Sequence, residues 1–286
     1  MTKTAFVIPC KYSKDVPILF NCLQSIRKYH PNDDIFVVDS ASEDKSYFER
    51  AETEFNATVL DVTNKNYLTG AIWHVYNNHK RDFYYCIHDS IELLESLESL
   101  QDKKLSPLMY HKHWQWPKDP VTGKRSYKWS QGQVKNRTKL NFEKVKKGSF
   151  YILQGAILCC SSQVLKELKE HGFDNILPSN KYQEECTERL WGFALGELGY
   201  NADIENNSIL GLCRQGQGIG SEHISKIASG ETSFVYEGIT YHAASGGYHL
   251  GNTDKVHLDG IPFIVKKNKS LPGDKVIKYW CSKGRK

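Results

Sequence analysis

The chain has 286 residues, of which 40% are hydrophobic and 25% are charged, and its formal net charge is +5. These are ordinary values for a globular protein, and the length is enough to bury a full core without covalent staples. No apolar run approaches the roughly 18 residues that span a bilayer. The net charge is too small to indicate a class of binding partner.

The eight cysteines include no CxxC pair and lie mostly within apolar runs. This pattern predicts buried, reduced thiols and argues against a structural zinc site. The apolar stretch at the start, Ala5 to Pro9, is too short for the core of a signal peptide. We therefore expect a soluble protein of a reducing compartment, the cytoplasm.

Alternating strand and helix patterns fill the first 89 residues. Four apolar runs predict strands and three periodic segments predict helices, the first helix being capped by Ser13 or Asp15. A β-α-β-α-β-α-β order predicts an α/β fold with a mostly parallel sheet flanked by helices. In chain order the predicted elements are strand Thr4–Pro9, a helix from Ile18 to His30, strand Ile35–Val38, helix Tyr47–Glu54, strand Thr58–Val62, helix Ala71–Asn78 and strand Phe83–Ile87.

Two of these strands end in carboxylates. Asp39 follows the second strand, and Asp89 follows the fourth within His88-Asp89-Ser90. Ligands of open α/β sheets bind at the carboxyl ends of the strands, so Asp89 is the first candidate for a metal ligand. The alternative is structural: Asp89 or Ser90 caps a helix over Ile91–Leu100.

A phosphate site is predicted where the third helix starts. Thr69-Gly70 would offer free backbone N–H groups at the start of the helix over Ala71–Asn78. A dinucleotide site is not supported, because the turn Cys10–Asp15 after the first strand contains no glycine.

Residues 110–147 differ in character from the rest. They hold eleven Lys or Arg residues against two acidic ones, with three tryptophans among them. This mixture is typical of a nucleic-acid surface, of a loop that closes over a diphosphate and a sugar, or of a solvated insertion. We expect a functional lid rather than core, because the segment is long and broken by Pro117, Pro120 and Gly123.

The second half continues with a core strand over Ser149–Cys160, broken by Gly155, and a helix over Val164–Lys169. A longer helix over Tyr182–Leu198 carries Glu184, Glu185 and Glu188 at its start. Favourable interaction with the helix dipole explains at least one of these acids, and three exceed what capping needs. Beyond residue 200, Phe234–His242 predicts a pair of strands, followed by His249 in a glycine-rich loop and by His257.

Taken in this order, the segments resemble the GT-A glycosyltransferases, specifically the large inverting family 2 type and its viral and microbial relatives. The resemblance covers roughly residues 4–200 and is carried by VVDSASED at Val37–Asp44, its most specific piece. The other segments that contribute are FVIPCKY at the first strand, Asn66–Ala71, CIHDS before residue 91, and Glu184–Arg189.

The resemblance implies roles for individual residues. Pro9 would lie against the nucleotide base, Asp39 would hydrogen-bond the uracil or ribose, and Gly70 and His88 would lie at the donor. Asp89 would hold Mn²⁺ or Mg²⁺, with a later histidine such as His242 completing the shell. Here a single carboxylate stands where two or three are usual. Glu185 or Glu188 would lie near the acceptor and act as the base.

The function that follows is hexosyl transfer from a nucleotide sugar, a UDP-sugar foremost, to a hydroxyl of a glycan, protein or lipid. We expect one domain over residues 1–286, with a nucleotide-binding half (1–100) and an acceptor-binding half (101–286) that contains the insertion 110–147. No nucleic acid is expected as a partner, and a viral member would act in the host cytoplasm or the virion.

Three other functions remain open at this point. A nucleotidyltransferase has a similar layout but usually carries a glycine-rich basic loop after its first strand, where this chain has no glycine. A domain that binds nucleotide sugar without turnover would fit the single carboxylate. A nucleic-acid-binding protein would fit the basic segment.

Overall fold

The computed structural model describes most of the first 207 residues with their side chains and five later strands by their backbone. The described residues are 2–12, 18–93, 96–107, 110–112, 115–207, 233–236, 239–244, 247–251, 264–267 and 276–280.

Strands and helices alternate through the first half and then give way to strands. The described strands are β1 (Thr4–Cys10), β2 (Asp34–Asp39), β3 (Thr58–Leu60), β4 (Phe83–Cys86), β5 (Ile91–Leu93), β6 (Leu105–Pro107), β7 (Tyr110–Lys112), β8 (Tyr151–Leu153), β9 (Leu158–Ser161), β10 (Ser233–Tyr236), β11 (Ile239–Ala244), β12 (Gly247–Gly251), β13 (Ile264–Lys267) and β14 (Val276–Trp280). The described helices are α1 (Ile18–Tyr29), α2 (Tyr47–Phe55), α3 (Tyr67–Asn78), α4 (Lys128–Arg137), α5 (Phe142–Lys147), α6 (Ser162–Glu170), α7 (Lys181–Glu197) and α8 (Asn201–Asn206).

The central sheet has the strand order β3-β2-β1-β4-β9-β6. Strands β3, β2, β1 and β4 run parallel to one another, and β9 and β6 complete the sheet with antiparallel pairs. Every residue of β1 is buried, as expected for a strand covered on both faces. The predicted α/β class, with a mostly parallel sheet flanked by helices, is therefore confirmed.

Two local predictions are wrong. The third helix begins at Tyr67, four residues earlier than the predicted Ala71. Among the described residues no helix spans Ile91–Leu100, since β5 occupies Ile91–Leu93 and pairs with β13, and a short 3₁₀ helix follows at Glu98–Leu100. Asp89 and Ser90 therefore precede a strand rather than cap a helix. The predicted caps of α1, Ser13 and Asp15, lie outside the described residues.

The basic segment 110–147 is folded to a greater extent than predicted. It contains β7, α4 and α5, and the side chains of Trp116, Val134 and Val145 are 7%, 0% and 0% exposed. The expectation of a lid rather than core is therefore wrong for these three residues, which join the main core. The segment packs against the core because apolar side chains occur between its charged residues.

The second sheet lies mostly beyond residue 230 and has the order β10-β11-β12-β14-β13-β5. Its pairs are antiparallel, and β10 with β11 confirms the strand pair predicted over Phe234–His242. His249 belongs to β12, where it pairs with His242, rather than to a loop. His257 lies outside the described residues.

Helix α7 lies directly against strand β8. A Cβ atom on Gly192 would come within 1.8 Å of the backbone oxygen of Tyr151, so only glycine permits this approach. The neighbouring Trp191 is fully buried, and its Nε1 donates to Thr69 Oγ1 of α3 at 2.9 Å. Its ring also stacks on Trp73 with a centroid separation of 5.8 Å. Helices α3 and α7 are thus fixed to one another.

Hydrogen bonds of Arg27 and His30 stabilise the amino edge of the central sheet. Arg27 donates hydrogen bonds to the backbone oxygens of Phe55 (2.6 Å) and Asp33 (2.7 Å), among other carbonyls. His30 is 1% exposed; its Nδ1 lies 2.8 Å from Asp33 Oδ2, and its Nε2 accepts from Leu97 N. These bonds tie α1, α2 and the turn before β2 together.

The six cysteines among the described residues are buried and free of disulfides, as predicted; they are Cys10, Cys22, Cys86, Cys159, Cys160 and Cys186. Across the described residues, no helix combines the length and hydropathy that crossing a bilayer requires.

Substituting Gly192→Ala should lower the free energy of unfolding by about 1 to 3 kcal/mol, because the added methyl group overpacks against Tyr151. The matched control is Gly132→Ala in α4, where a Cβ meets nothing within 4 Å. That change should stabilise the protein by up to about 1 kcal/mol through helix propensity alone. Urea unfolding of both variants measures the difference, and equal effects would contradict the close approach.

Candidate active site

The carboxyl edge of the central sheet brings two of the predicted residues to either side of β1. Asp39 ends β2 and pairs with Cys10. On the other side, Cys86 at the end of β4 pairs with Val7, and the chain continues to Asp89. The sheet therefore places both carboxylates at the edge where α/β proteins bind ligands, as the sequence predicted.

Asp39 is fully buried, and each carboxylate oxygen has a protein partner. Oδ1 accepts from the hydroxyl of Tyr47 at 2.8 Å, and Oδ2 accepts from the backbone N–H of Ser42 at 3.2 Å. Burial raises the pKa of Tyr47 far above its usual value, so the hydroxyl stays a donor. Asp39 thereby holds the loop after β2 in place. Its hydrogen bond to a uracil or ribose remains a prediction.

The segment His88-Asp89-Ser90 turns away from the end of β4. Asp89 and Ser90 are 5% and 7% exposed, and the His88 ring is half-buried. His88 Nε2 lies 3.1 Å from the backbone oxygen of Gly155, which as a carbonyl can only accept, so Nε2 carries the proton. The ring of His88 is therefore fixed against the turn between β8 and β9.

Helix α7 presents the predicted acids at its amino end. Asn180 caps the helix by accepting from Gln183 N at 3.0 Å, and Lys181 Nζ lies 2.7 Å from Glu184 Oε2. Residues four apart lie on the same face of a helix, so Glu184 and Glu188 share a face. This face carries two carboxylates and, at its outer end, one ammonium group.

The carboxyl group of Glu188 has an altered acidity. Burial, followed by the nearby charge of Glu184, raises the pKa of Glu188 to about 7. Lys181, Arg189 and a hydrogen bond from the backbone of Gly155 act in the opposite direction. A carboxylate with such a pKa can accept and release a proton near neutrality, which is the property of a general base.

The turn that contains Gly155 lies between His88 and α7. The Gly155 carbonyl accepts from His88 Nε2, and the turn Gln154–Ala156 packs against α7, the helix that carries Glu188. The φ of Gly155 is +67°, and a Cβ at this position would lie 3.0 Å from His88 Nε2. Sequence reasoning identified Gly155 only as a break in an apolar run, because its contact with His88 is tertiary.

Backbone strain is concentrated around the same edge. Five non-glycine residues among those described have a positive φ, and one of them, Asn56, simply ends α2. The other four lie after β2, after β3, at the start of α3 and beside Gly155; they are Ala41, Thr63, Tyr67 and Ala156. Such conformations cost free energy and persist where the surrounding structure imposes them, often at binding sites.

The start of α3 meets the start of α7 at this edge. Asn66 Nδ2 donates to the backbone oxygen of Pro178 at 3.0 Å. Burial and the charge of Glu184 raise the pKa of Tyr67, the first residue of α3. No sequence signal pointed to Tyr67, since the effect of Glu184 on it depends on how the two helices pack.

The remaining predicted residues have different outcomes. Gly70 lies inside α3 and its N–H donates to Asn66 O at 2.9 Å, so the prediction that it offers a free N–H to a phosphate is wrong. Pro9 is buried in β1 opposite Val38. His242 lies in β11, and only its backbone is described. The donor roles of Pro9 and His242 remain predictions.

A complete metal site is absent from the described part of the chain, where no group of three or more His, Cys, Asp or Glu side chains could hold an ion. Asp89 alone fits an ion that obtains its remaining ligands elsewhere. Mg²⁺ commonly binds in this way, through one or two carboxylates, phosphate oxygens and water.

Comparison with known proteins gives structural matches only. No protein-family model matches the chain, and no curated protein matches its sequence. Among solved structures, residues 1–349 of TarS from S. aureus match with a TM-score of 0.38 at 10% identity, covering 66% of this chain and 56% of that one. The same fragment in complex with UDP gives 0.39 at 12% identity, covering 67% and 55%.

A further match is core-mannan synthase A (CmsA/Ktr4) from Aspergillus fumigatus in its Mn/GDP form. Its TM-score is 0.41 at 6% identity, and the match covers 68% of this chain and 70% of that one. The chain spans just over half of the TarS fragment.

Proposed function

We propose that the protein is a glycosyltransferase that moves a sugar from a nucleotide-sugar donor, UDP-linked foremost, to a hydroxyl acceptor with inversion. The observation that carries the proposal is the turn Gln154–Ala156, which accepts a hydrogen bond from His88 beside Asp89 and packs against α7, the helix that bears Glu188. The proposed donor side and the proposed base thus lie on two elements that meet at this turn.

On the donor side, Asp89 would hold Mg²⁺ or Mn²⁺ together with the oxygens of the diphosphate, and His242 is proposed to complete the shell. When bound, such an ion neutralises the charge that develops on the leaving diphosphate. Pro9 and Asp39 are proposed to lie near the nucleotide base and ribose.

On the acceptor side, Glu188 would take the proton from the attacking hydroxyl as its oxygen bonds to the anomeric carbon. The bond to the diphosphate breaks on the opposite face of the sugar. Burial keeps Glu188 close to the pKa of a base that works at neutral pH. Between the two predicted bases, Glu188 is favoured over Glu185, because burial raises the pKa of Glu188 to about 7.

A donor panel tests the proposal. The protein is incubated with nucleotide sugars carrying different bases and sugars, with Mn²⁺ or Mg²⁺, and release of free nucleoside diphosphate is measured. Slow hydrolysis of one donor in the absence of an acceptor would identify that donor. No release from any donor, together with no binding of any nucleoside diphosphate, would reject the proposal.

Replacing Asp89 with Asn should reduce metal-dependent transfer by more than about a hundredfold, since it removes the carboxylate proposed to hold the ion. The fold should be retained, because Asn has nearly the same shape. Asp34→Asn, the same chemical change at the amino end of β2, is the control and should leave transfer unchanged. Full activity in a folded Asp89→Asn variant would refute the assignment.

The rate of transfer should depend on pH through Glu188, which acts only when deprotonated. Below about pH 7, kcat/KM should fall roughly tenfold per pH unit, and above pH 7 it should level off. Glu188→Gln should abolish this dependence and lower the rate by about 10²- to 10⁴-fold.

Glu185→Gln provides the discriminating comparison. If Glu185 were the base, its replacement, and not that of Glu188, would remove the pH dependence. Pre-steady-state measurement of the chemical step across pH 5 to 9 separates this effect from product release.

A further inference from the structure

We infer that Asn64 is a positioning residue, which joins the loop after β2 to the start of α3 and so keeps the proposed nucleotide-binding edge in its binding conformation. Asn64 lies in the turn 63–67, between β3 and the first residue of α3. The inference rests on the proposed function for the identity of the ligand. The physical link itself can be measured in the protein without nucleotide.

Asn64 makes hydrogen bonds to both elements. Its backbone N–H donates to the backbone oxygen of Asp39, the last residue of β2, at 2.8 Å. Its side chain bonds the other element: Nδ2 donates to the backbone oxygen of Tyr67 at 2.8 Å, and Oδ1 accepts from the N–H of Asn66 at 3.0 Å. Asn64 is buried, so water competes little for these bonds. One residue therefore connects the end of β2 to the start of α3.

The loop after β2 is itself part of a hydrogen-bonded unit. The carboxylate of Asp39 accepts from the Tyr47 hydroxyl and from the N–H of Ser42. The hydroxyl oxygen of Ser42 accepts in turn from the N–H of Tyr12, after β1, at 2.9 Å. The segments that follow β1 and β2 are thus joined, and Asn64 adds the segment that follows β3. Ligands of α/β sheets bind at this edge, so the unit determines the shape of the proposed nucleotide site.

The backbone of the turn 63–67 needs the Asn64 side chain. Thr63 and Tyr67, at the two ends of the turn, have φ values of +49° and +56°. Residues with a Cβ adopt this left-handed region at a cost in free energy, and they persist there only where other contacts hold them. The two bonds of the Asn64 amide lie within the turn and supply such contacts. Without the amide, the turn can relax and the bond from residue 64 to Asp39 weakens.

Gly70 leaves the space that the amide occupies. A Cβ at Gly70 would lie 2.5 Å from Asn64 Oδ1 and 2.5 Å from Asn66 Cβ. Glycine has a low helix propensity, yet it stands inside α3 at this position. The close approach of α3 to the turn explains this choice, since a methyl group would displace the Asn64 amide.

Amide hydrogen exchange in the free protein, followed by NMR, tests the link. The N–H of Ser42 is bonded to Asp39 and not to Asn64. In Asn64→Ala it should exchange about tenfold faster, because the loop opens locally more often. Ser25→Ala is the control: Ser25 is also buried, and its Oγ accepts from the N–H of Leu93 at 2.8 Å. It should lower stability to a similar extent and leave the exchange of Ser42 unchanged.

Binding of UDP in the presence of Mn²⁺, measured by calorimetry, tests the consequence for the site. Asn64→Ala should raise the Kd for UDP about tenfold, as expected when the binding-competent conformation of the loop falls to about one tenth of the population. Ser25→Ala should bind UDP with the Kd of the parent protein. Equal Kd values for all three proteins would overturn the positioning role.

Asn64→Asp distinguishes the hydrogen bond from the shape of the side chain. An ionised Asp still accepts from the N–H of Asn66 but cannot donate to the oxygen of Tyr67, whereas a protonated Asp does both. The Kd of this variant for UDP, divided by that of the parent at the same pH, should be about ten at pH 8 and approach one near pH 5, since burial raises the pKa of a carboxyl group. A ratio near one at pH 8, or one that does not fall by pH 5, would contradict the role of the amide as a donor.

The outcomes separate the two proposals. Exchange of the Ser42 amide that is the same in Asn64→Ala and in the parent protein would overturn the inference, even if sugar transfer is found. Faster exchange of Ser42 in the variant of a protein that binds no nucleoside diphosphate would support the link and reject the proposed function. If Asn64→Ala does not fold, Asn64→Asp, which keeps the shape of the side chain, decides the question by the same two measurements.

Discussion

The site depends most on the contact between α7 and β8. The two elements can approach so closely because residue 192 is a glycine and has no side chain. The helix that bears Glu188 lies so close to Tyr151 that any Cβ would overlap its backbone oxygen. Trp191, one residue earlier, joins the same helix to α3 by a hydrogen bond to Thr69 and by stacking on Trp73. The distance between α7 and the carboxyl edge of the central sheet is set by these two contacts.

The two edges of the central sheet are built differently. At the amino edge, Arg27 and His30 form hydrogen bonds with backbone carbonyls and with the Asp33 carboxylate. At the carboxyl edge, Ala41, Thr63 and Tyr67 have left-handed backbones. Folding free energy gained at one edge can offset strain at the other, because both belong to the same core.

Local pattern determined which parts of this structure could be predicted from the sequence. Local pattern located β1 to β4 through runs of apolar residues and α1 to α3 through helical spacing. It failed at Ile91–Leu93, where pairing with a distant strand overrides local preference. Among the acids of α7, the sequence could not distinguish Glu188 from Glu185, since the burial that raises the pKa of Glu188 depends on packing with other parts of the chain. The Asp39–Tyr47 pair was missed for the same reason.

The folding of the basic segment into the core has an electrostatic consequence. Trp116, Val134 and Val145 anchor a stretch whose lysines and arginines are mostly exposed, so its positive charges are held at fixed positions on α4, α5 and their connections. Fixed charges of one sign produce a persistent potential that attracts anions before contact. The rate of diffusional encounter with an anionic solute should therefore be high in dilute buffer and should decrease when added salt shortens the screening length. A flexible loop would instead distribute the same charge over many conformations.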